Sequence, residues 1–64
     1  MKLSAQQILR IREELGMTQT EFAAHVGVTR FAVGAWERGK RQQTLANDLK
    51  IRDFLRDMGI SMVQ

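Results

Sequence analysis

The sequence predicts a small all-α domain of four helices, with the C-terminal tail left open as a fifth. Three observations point to this class. Proline, which interrupts helices, is absent from the 64 residues. Hydroxyl residues stand before segments in which apolar side chains recur at helical spacing, and glycines follow those segments. Cysteine is also absent, so helix packing or a partner subunit must stabilise so short a chain.

The first helix is predicted from Ser4 to Gly16. Ser4 can cap its start, with Gln7 three residues on as the reciprocal partner of a capping box. Gly16 occupies the usual C-terminal position. The buried side of this helix is expected to carry Ile8, Ile11 and Leu15.

Two short helices joined by a glycine turn are predicted over about residues 18–38. Thr18 caps the first of them, with Glu21 completing a second capping box. Gly27 makes the turn, and Thr29 caps the next helix, which ends before Gly39. This is the helix-turn-helix arrangement, whose second helix enters the major groove of DNA.

A fourth helix is predicted from Thr44 to Met58, ended by Gly59, within a segment 44–64 that serves the core and dimerisation. Its apolar residues form two stripes, so either the helix breaks near Lys50 or one stripe covers the core while the other meets a second subunit. Leu45 and Leu49 form one stripe. The broader stripe supplies the predicted dimer contacts Ile51, Phe54, Leu55 and Met58. The apolar tail, residues 60–63, is expected to fold onto the core or extend the partner contact.

The positive charge is concentrated around the third helix. The chain has a net charge of +3, with ten Lys and Arg against seven Asp and Glu. Four basic residues and one acidic residue lie between Arg30 and Arg41, so this segment carries the whole excess. A phosphate-binding surface requires such a concentration of positive charge. An ordinary solvent-exposed cluster of basic residues is the alternative, but it would have no reason to coincide with the helix-turn-helix motif.

The outward side of the third helix is expected to read DNA bases. Arg30 can bond guanine O6 and N7 together, although a phosphate contact is an equal alternative. Phe31 can touch a thymine methyl group, and close approach of the backbone to DNA would explain a glycine inside the helix. The base-reading candidates are Thr29, Arg30, Phe31, Gly34 and Ala35. The phosphate-binding candidates are Gln19, Thr20, Arg38, Lys40 and Arg41.

Arg12 and Glu37 are expected to form a structural ion pair. Arg12 falls on the buried side of the first helix, and Glu37 flanks the inward-facing Trp36. A charge on a buried surface needs a partner, which a carboxylate supplies. Since His25 is the only histidine, neither a metal site nor a catalytic constellation is expected, and no cofactor.

Several motifs together resemble the Cro/Xre-like family of phage and plasmid repressors. The resemblance spans roughly residues 8–41. It rests on Gly16-Met17-Thr18-Gln19, Phe22-Ala23, Val26-Gly27-Val28-Thr29 and Trp36-Glu37-Arg38-Gly39. It implies a compact lambda-repressor-like domain that binds operator DNA, usually as a dimer, without catalysis, and it implies the same Arg12–Glu37 pairing. Gly34 and Ala35 depart from the longer polar side chains common in the family.

The sequence therefore predicts a single-domain transcriptional regulator, residues 1–64, that is not an enzyme. We expect a repressor or autorepressor that binds an inverted-repeat operator in double-stranded DNA as a homodimer. The alternative is an antitoxin that binds a toxin and represses its own operon. RNA binding ranks low, because the aromatic sheet platform and clamp loop of the common RNA-binding modules are missing. The sequence has neither an apolar run long enough to span a bilayer nor a signal-peptide core. We therefore expect a cytoplasmic protein that is encoded by a bacterium or a phage.

Overall fold

Four α-helices make up the part of the chain that the computed structural model describes, residues 1–60. They are α1 (Ala5–Glu14), α2 (Gln19–Val26), α3 (Arg30–Glu37) and α4 (Leu45–Asp57). No strand occurs among these residues, and the all-α prediction is confirmed. Within the same range, none of the helices has the length and apolarity needed to cross a membrane. Residues 61–63 of the predicted tail lie outside the described residues.

Each helix begins at a hydroxyl side chain that accepts a hydrogen bond from a backbone N–H three residues later. The caps are Ser4, Thr18, Thr29 and Thr44. The capping boxes predicted for α1 and α2 are both present. These bonds satisfy N–H groups that have no partner inside the helix, and so fix where α2 and α3 begin relative to the turn between them.

The core lies among all four helices and holds α3 in place. Phe22 of α2, Val33 of α3 and Ile8 of α1 are completely buried. α3 packs against both α1 and α2, while α2 also packs against α4. One side of α3 is therefore fixed in the interior and the other is presented to solvent.

The orientation of α4 corrects the predicted dimer surface. Ile51 and Leu55 are completely buried, so assigning them to a dimer contact was wrong. The helix continues through Lys50 without a break, and the outward stripe is the other one, with Leu45 61% and Leu49 50% exposed. Residues four apart share one side of a helix, so burying Ile51 also buries Leu55.

The remaining two predicted dimer residues differ from each other. Phe54 is half-buried, with its ring edge-on to Phe22 at 6.0 Å and stacked on His25 at 5.2 Å between centroids. Met58 stays 48% exposed. Ile60 packs against the core. Folding onto the core was one of the two alternatives expected for the tail. Of the four predicted residues, Met58 is the most exposed.

A buried carboxylate that the sequence analysis missed ties the N-terminus to α4. Asp48, only 2% exposed, accepts hydrogen bonds from the Leu3 N–H at 2.8 Å, Gln43 Nε2 at 2.9 Å and Arg52 Nε at 2.8 Å. Burial alone would raise the pKa of Asp48, but these three donors and the positive charge of Arg52 together lower it below its ordinary value of 3.8. The ionised carboxylate thus helps to hold the segment before α1 against the core through the bond to Leu3.

Candidate nucleic-acid interface

The turn between α2 and α3 has the geometry that the sequence predicts. Gly27 ends α2 with a φ of 90°, a left-handed conformation that suits glycine. Two residues later Thr29 caps α3, its hydroxyl accepting from the Ala32 N–H at 3.1 Å. Trp36 is 4% exposed on the inward side of α3, as predicted. The solvent side of α3 begins with Arg30 and Phe31, which are both exposed.

The predicted ion pair between Arg12 and Glu37 is present, and it fixes the C-terminal end of α3. Arg12 Nε donates to Glu37 Oε2 at 2.6 Å, and Nη2 donates to Oε1 at 3.0 Å, a bidentate arrangement. The third nitrogen, Nη1, donates to the carbonyl of Met17 at 2.9 Å. The Arg12 side chain is 16% exposed and that of Glu37 is 5% exposed. One arginine therefore connects α1, the segment before α2, and α3.

This pairing also neutralises Glu37, the one acidic residue in the basic segment 30–41. The hydrogen bond to Glu37 raises the pKa of Arg12, against the opposing effect of burial. Glu37 Oε1 additionally accepts from Gln19 Nε2 at 3.0 Å. Its charge is directed into the protein, and little of it reaches the solvent side of α3.

The cationic side chains of the segment remain open to solvent. Among residues 1–60, none of them forms an ion pair; the other two pairs in this range lie within α4. The exposed cations are Arg30, Arg38, Lys40 and Arg41. We call these four the basic patch, and all four are among the residues that the sequence analysis selected for phosphate or base contacts.

Gly34 was predicted to lie open on the outward side of α3, but it does not. It is buried, and a β-carbon placed on it would come within 3.2 Å of Arg38 Nη1 and 3.4 Å of Gln19 Oε1. The expectation that its backbone faces the DNA is therefore wrong for this conformation. The absence of a side chain at Gly34 instead lets those two polar side chains close over α3.

Arg30 and Phe31 form a stacked pair at the start of α3. The guanidinium carbon of Arg30 lies over the Phe31 ring, 4.6 Å from its centroid. Phe31 is nonetheless 71% exposed. The sequence analysis selected both residues but did not anticipate their contact.

A cleft of about 410 Å³ lies beside α3, between this helix and the start of α4. Phe31 and the half-buried Ala35 line it from α3, and Arg41 lines it from the loop. Gln42 and Asn47 add amide groups that the sequence analysis did not select. Their side chains point into a space next to the predicted reading surface, and this placement depends on how the loop folds back on α3.

The predicted contacts from the start of α2 differ in availability. Thr20 is exposed in the first turn. Gln19 is half-buried, and its amide nitrogen already donates to Glu37. A phosphate contact through Gln19 thus stays a prediction, while its observed role is to connect α2 to α3.

A helix-turn-helix family model matches residues 8–61. The chain belongs to the Cro/Xre-like helix-turn-helix family. As a member of this family it is a DNA-binding transcription regulator. Searches among curated proteins and among solved structures gave no significant match. Within residues 1–60 of this family member, no three potential metal ligands come together.

Proposed function

We propose that this Cro/Xre-like regulator represses transcription by binding a specific operator in double-stranded DNA. The observation that carries the proposal is the solvent side of α3, where the basic patch lies unpaired beside an exposed aromatic ring. The Phe31 ring is 71% exposed and packs on Arg30 rather than in the core, so it contributes little to the stability of the domain. It suits the major groove, which offers phosphates, base edges and thymine methyl groups.

In the proposed complex, the basic patch divides into two roles. Arg38, Lys40 and Arg41 follow α3 and bind phosphates, which sets the register of the domain on the duplex. Arg30, in the first turn of α3, bonds the edge of a guanine. The bond network around Glu37 keeps α3 at a fixed angle to α2, so both sets of contacts form together.

We further propose that the regulator binds as a homodimer. A single α3 of eight residues offers few base contacts, whereas specific sites are typically bound about 10³–10⁷ times more tightly than random DNA. Two-fold symmetry doubles the contacts by placing two α3 helices in successive major grooves about 34 Å apart. The exposed pair Leu45 and Leu49 on α4 supports an apolar contact to a second copy.

The experiment for the proposed function is a selection from random duplex DNA, followed by footprinting of the enriched sequence. We expect an inverted repeat with its half-sites one helical turn apart. Loss of footprint protection in Arg30→Ala, with retained binding to random DNA, is the expected behaviour of a base-reading residue. Failure to enrich any sequence would contradict the proposal.

A toxin-binding antitoxin is the second candidate, favoured by the same exposed leucines. An apolar surface on α4 fits a protein partner of either kind. Sedimentation of the purified chain separates the two. A dimer whose assembly is lost in Leu49→Glu supports the homodimer, whereas a monomer that binds no operator alone favours a separate protein partner.

A further inference from the structure

Arg30 and Phe31, at the start of α3, contact each other in the free protein. If each residue touched DNA independently, this contact would not be needed. Arg30 has no carboxylate partner among residues 1–60, and its guanidinium carbon lies over the Phe31 ring, 4.6 Å from the ring centroid. Cation–π contact of this kind restricts a side chain that would otherwise sample many rotamers. The pair therefore presents its donors and the free ring surface together, before any DNA is bound.

Base recognition by Arg30 would fix where the Phe31 ring lies in the groove. A guanidinium bonded to guanine O6 and N7 lies in the plane of that base. A ring stacked on the guanidinium then lies at the level of the adjacent base pair, since consecutive pairs are separated by about 3.4 Å. The guanidinium carbon lies over the ring at 4.6 Å from its centroid, which meets that spacing when the ring is parallel to the guanidinium and displaced sideways.

The group that a phenyl ring meets at that level depends on the adjacent base. In the major groove, the C5 position of a pyrimidine carries a methyl group in thymine and in 5-methylcytosine, but only hydrogen in cytosine and uracil. Apolar side chains favour the methyl group. Contact would cover a ring that is 71% exposed in the free protein, and hydrophobic burial stabilises such contact.

We propose that Arg30 and Phe31 act as one reading unit for two adjacent base pairs, a guanine and a neighbouring 5-methylpyrimidine. Arg30 bonds the guanine, and the Phe31 ring covers the methyl group of the next pair. This inference rests on the proposed function, because it concerns the operator that α3 reads. It adds that binding responds to the pyrimidine methyl group, so an operator cytosine at this position is bound more tightly when methylated.

The test uses base analogues in the operator obtained by selection. Each thymine is replaced in turn by deoxyuridine, which removes the methyl group and leaves the pairing unchanged. We expect about a fourfold loss of affinity at one thymine per half-site, the effect of one buried methyl group. That thymine should adjoin a guanine whose replacement is tolerated in Arg30→Ala. Replacing its pair by C·G should weaken binding, and 5-methylation of that cytosine should restore about fourfold.

Variants assign the effect to the pair. Phe31→Ala should bind thymine and deoxyuridine operators equally, and Arg30→Lys, which keeps the charge but loses the planar stack, should lose most of the methyl preference. Lys40→Ala is the matched control, because it should weaken binding to both operators and keep the preference. Circular dichroism checks that the exposed substitutions leave the helices folded.

The outcomes separate this inference from the proposed function. A selection that enriches no sequence contradicts the proposed function itself. An enriched operator with no methyl-sensitive position beside the Arg30-dependent guanine leaves the function standing and overturns the reading unit. Methyl sensitivity that persists in Phe31→Ala also overturns it, because the effect would then come from DNA shape.

Discussion

Replacing Glu37 with alanine should strongly destabilise the fold. The substitution removes all three hydrogen bonds that the carboxylate accepts, two from Arg12 and one from Gln19. It also leaves the Arg12 guanidinium, 16% exposed, without a countercharge. Breaking a buried pair in this way costs about 3–5 kcal/mol. We expect about 3 kcal/mol, the low end of that range, because Arg12 retains its bond to the Met17 carbonyl.

That loss is large relative to the whole domain. At roughly 0.05–0.15 kcal/mol per residue, a chain of this length has a free energy of unfolding of about 3–10 kcal/mol. A loss of about 3 kcal/mol corresponds to a fall in Tm of about 12–24 °C. The Glu37→Ala protein would therefore retain a free energy of unfolding of about 0–7 kcal/mol, and at the low end of that range much of it would be unfolded.

The assay is urea unfolding followed by the fluorescence of Trp36, the single tryptophan, which is 4% exposed. Asp53→Ala provides the matched control, because Asp53 and Arg56 form an exposed pair with side chains 58% and 75% accessible. Such pairs contribute about 0.2–1 kcal/mol or less. Arg12→Met in the Glu37→Ala background should recover part of the loss, since the unpaired charge is then gone. If Glu37→Ala unfolds at the same urea concentration as Asp53→Ala, the reasoning is refuted.

Gly34→Ala should raise the free energy of unfolding by about 1 kcal/mol through helix propensity, because the nearest atoms are ends of flexible side chains; a lower urea midpoint would contradict this. Folding lowers the pKa of Asp48, so the stabilisation that its carboxylate gives the fold is present above pH 3.8 and is lost as the pH falls below 3.8. Over that range, the urea midpoint should fall less steeply for Asp48→Asn than for the unaltered protein. Lys40→Ala and Arg41→Ala should each reduce the slope of log K against log salt by about 0.9, and an unchanged slope in binding titrations would remove that residue from the interface.

The local features of this fold were predictable because they depend on short stretches of chain. A hydroxyl cap such as Thr18 and a turn glycine such as Gly27 are recognised from their neighbours alone. The Arg12–Glu37 pair was also predictable, although 25 residues separate its members. A charge on a buried helical side must find a partner, and Glu37 was the carboxylate on the inward side of α3.

Contacts that depend on how the helices are rotated were not predictable from the sequence. Periodicity shows that α4 has two apolar stripes, but it does not show which one faces inward, so Ile51 and Leu55 were assigned to the wrong side. The Asp48 network joins residues up to 45 positions apart and has no sequence signature. Gly34 was expected to lie open on the outward side of α3, but the side chains of Gln19, at the start of α2, and of Arg38, just after α3, fold over it.

We propose that the solvent side of α3 reads bases from the major groove. A scan with 7-deazaguanine tests it most directly, because this analogue removes the N7 acceptor from the major groove and leaves Watson–Crick pairing intact. We expect a loss of about fivefold at one guanine per half-site, the low end of the range for a bidentate contact, because the O6 acceptor remains. The same substitution should have little effect on Arg30→Ala. An operator bound with unchanged affinity at every deazaguanine position, or an equal loss in Arg30→Ala, would contradict the claim.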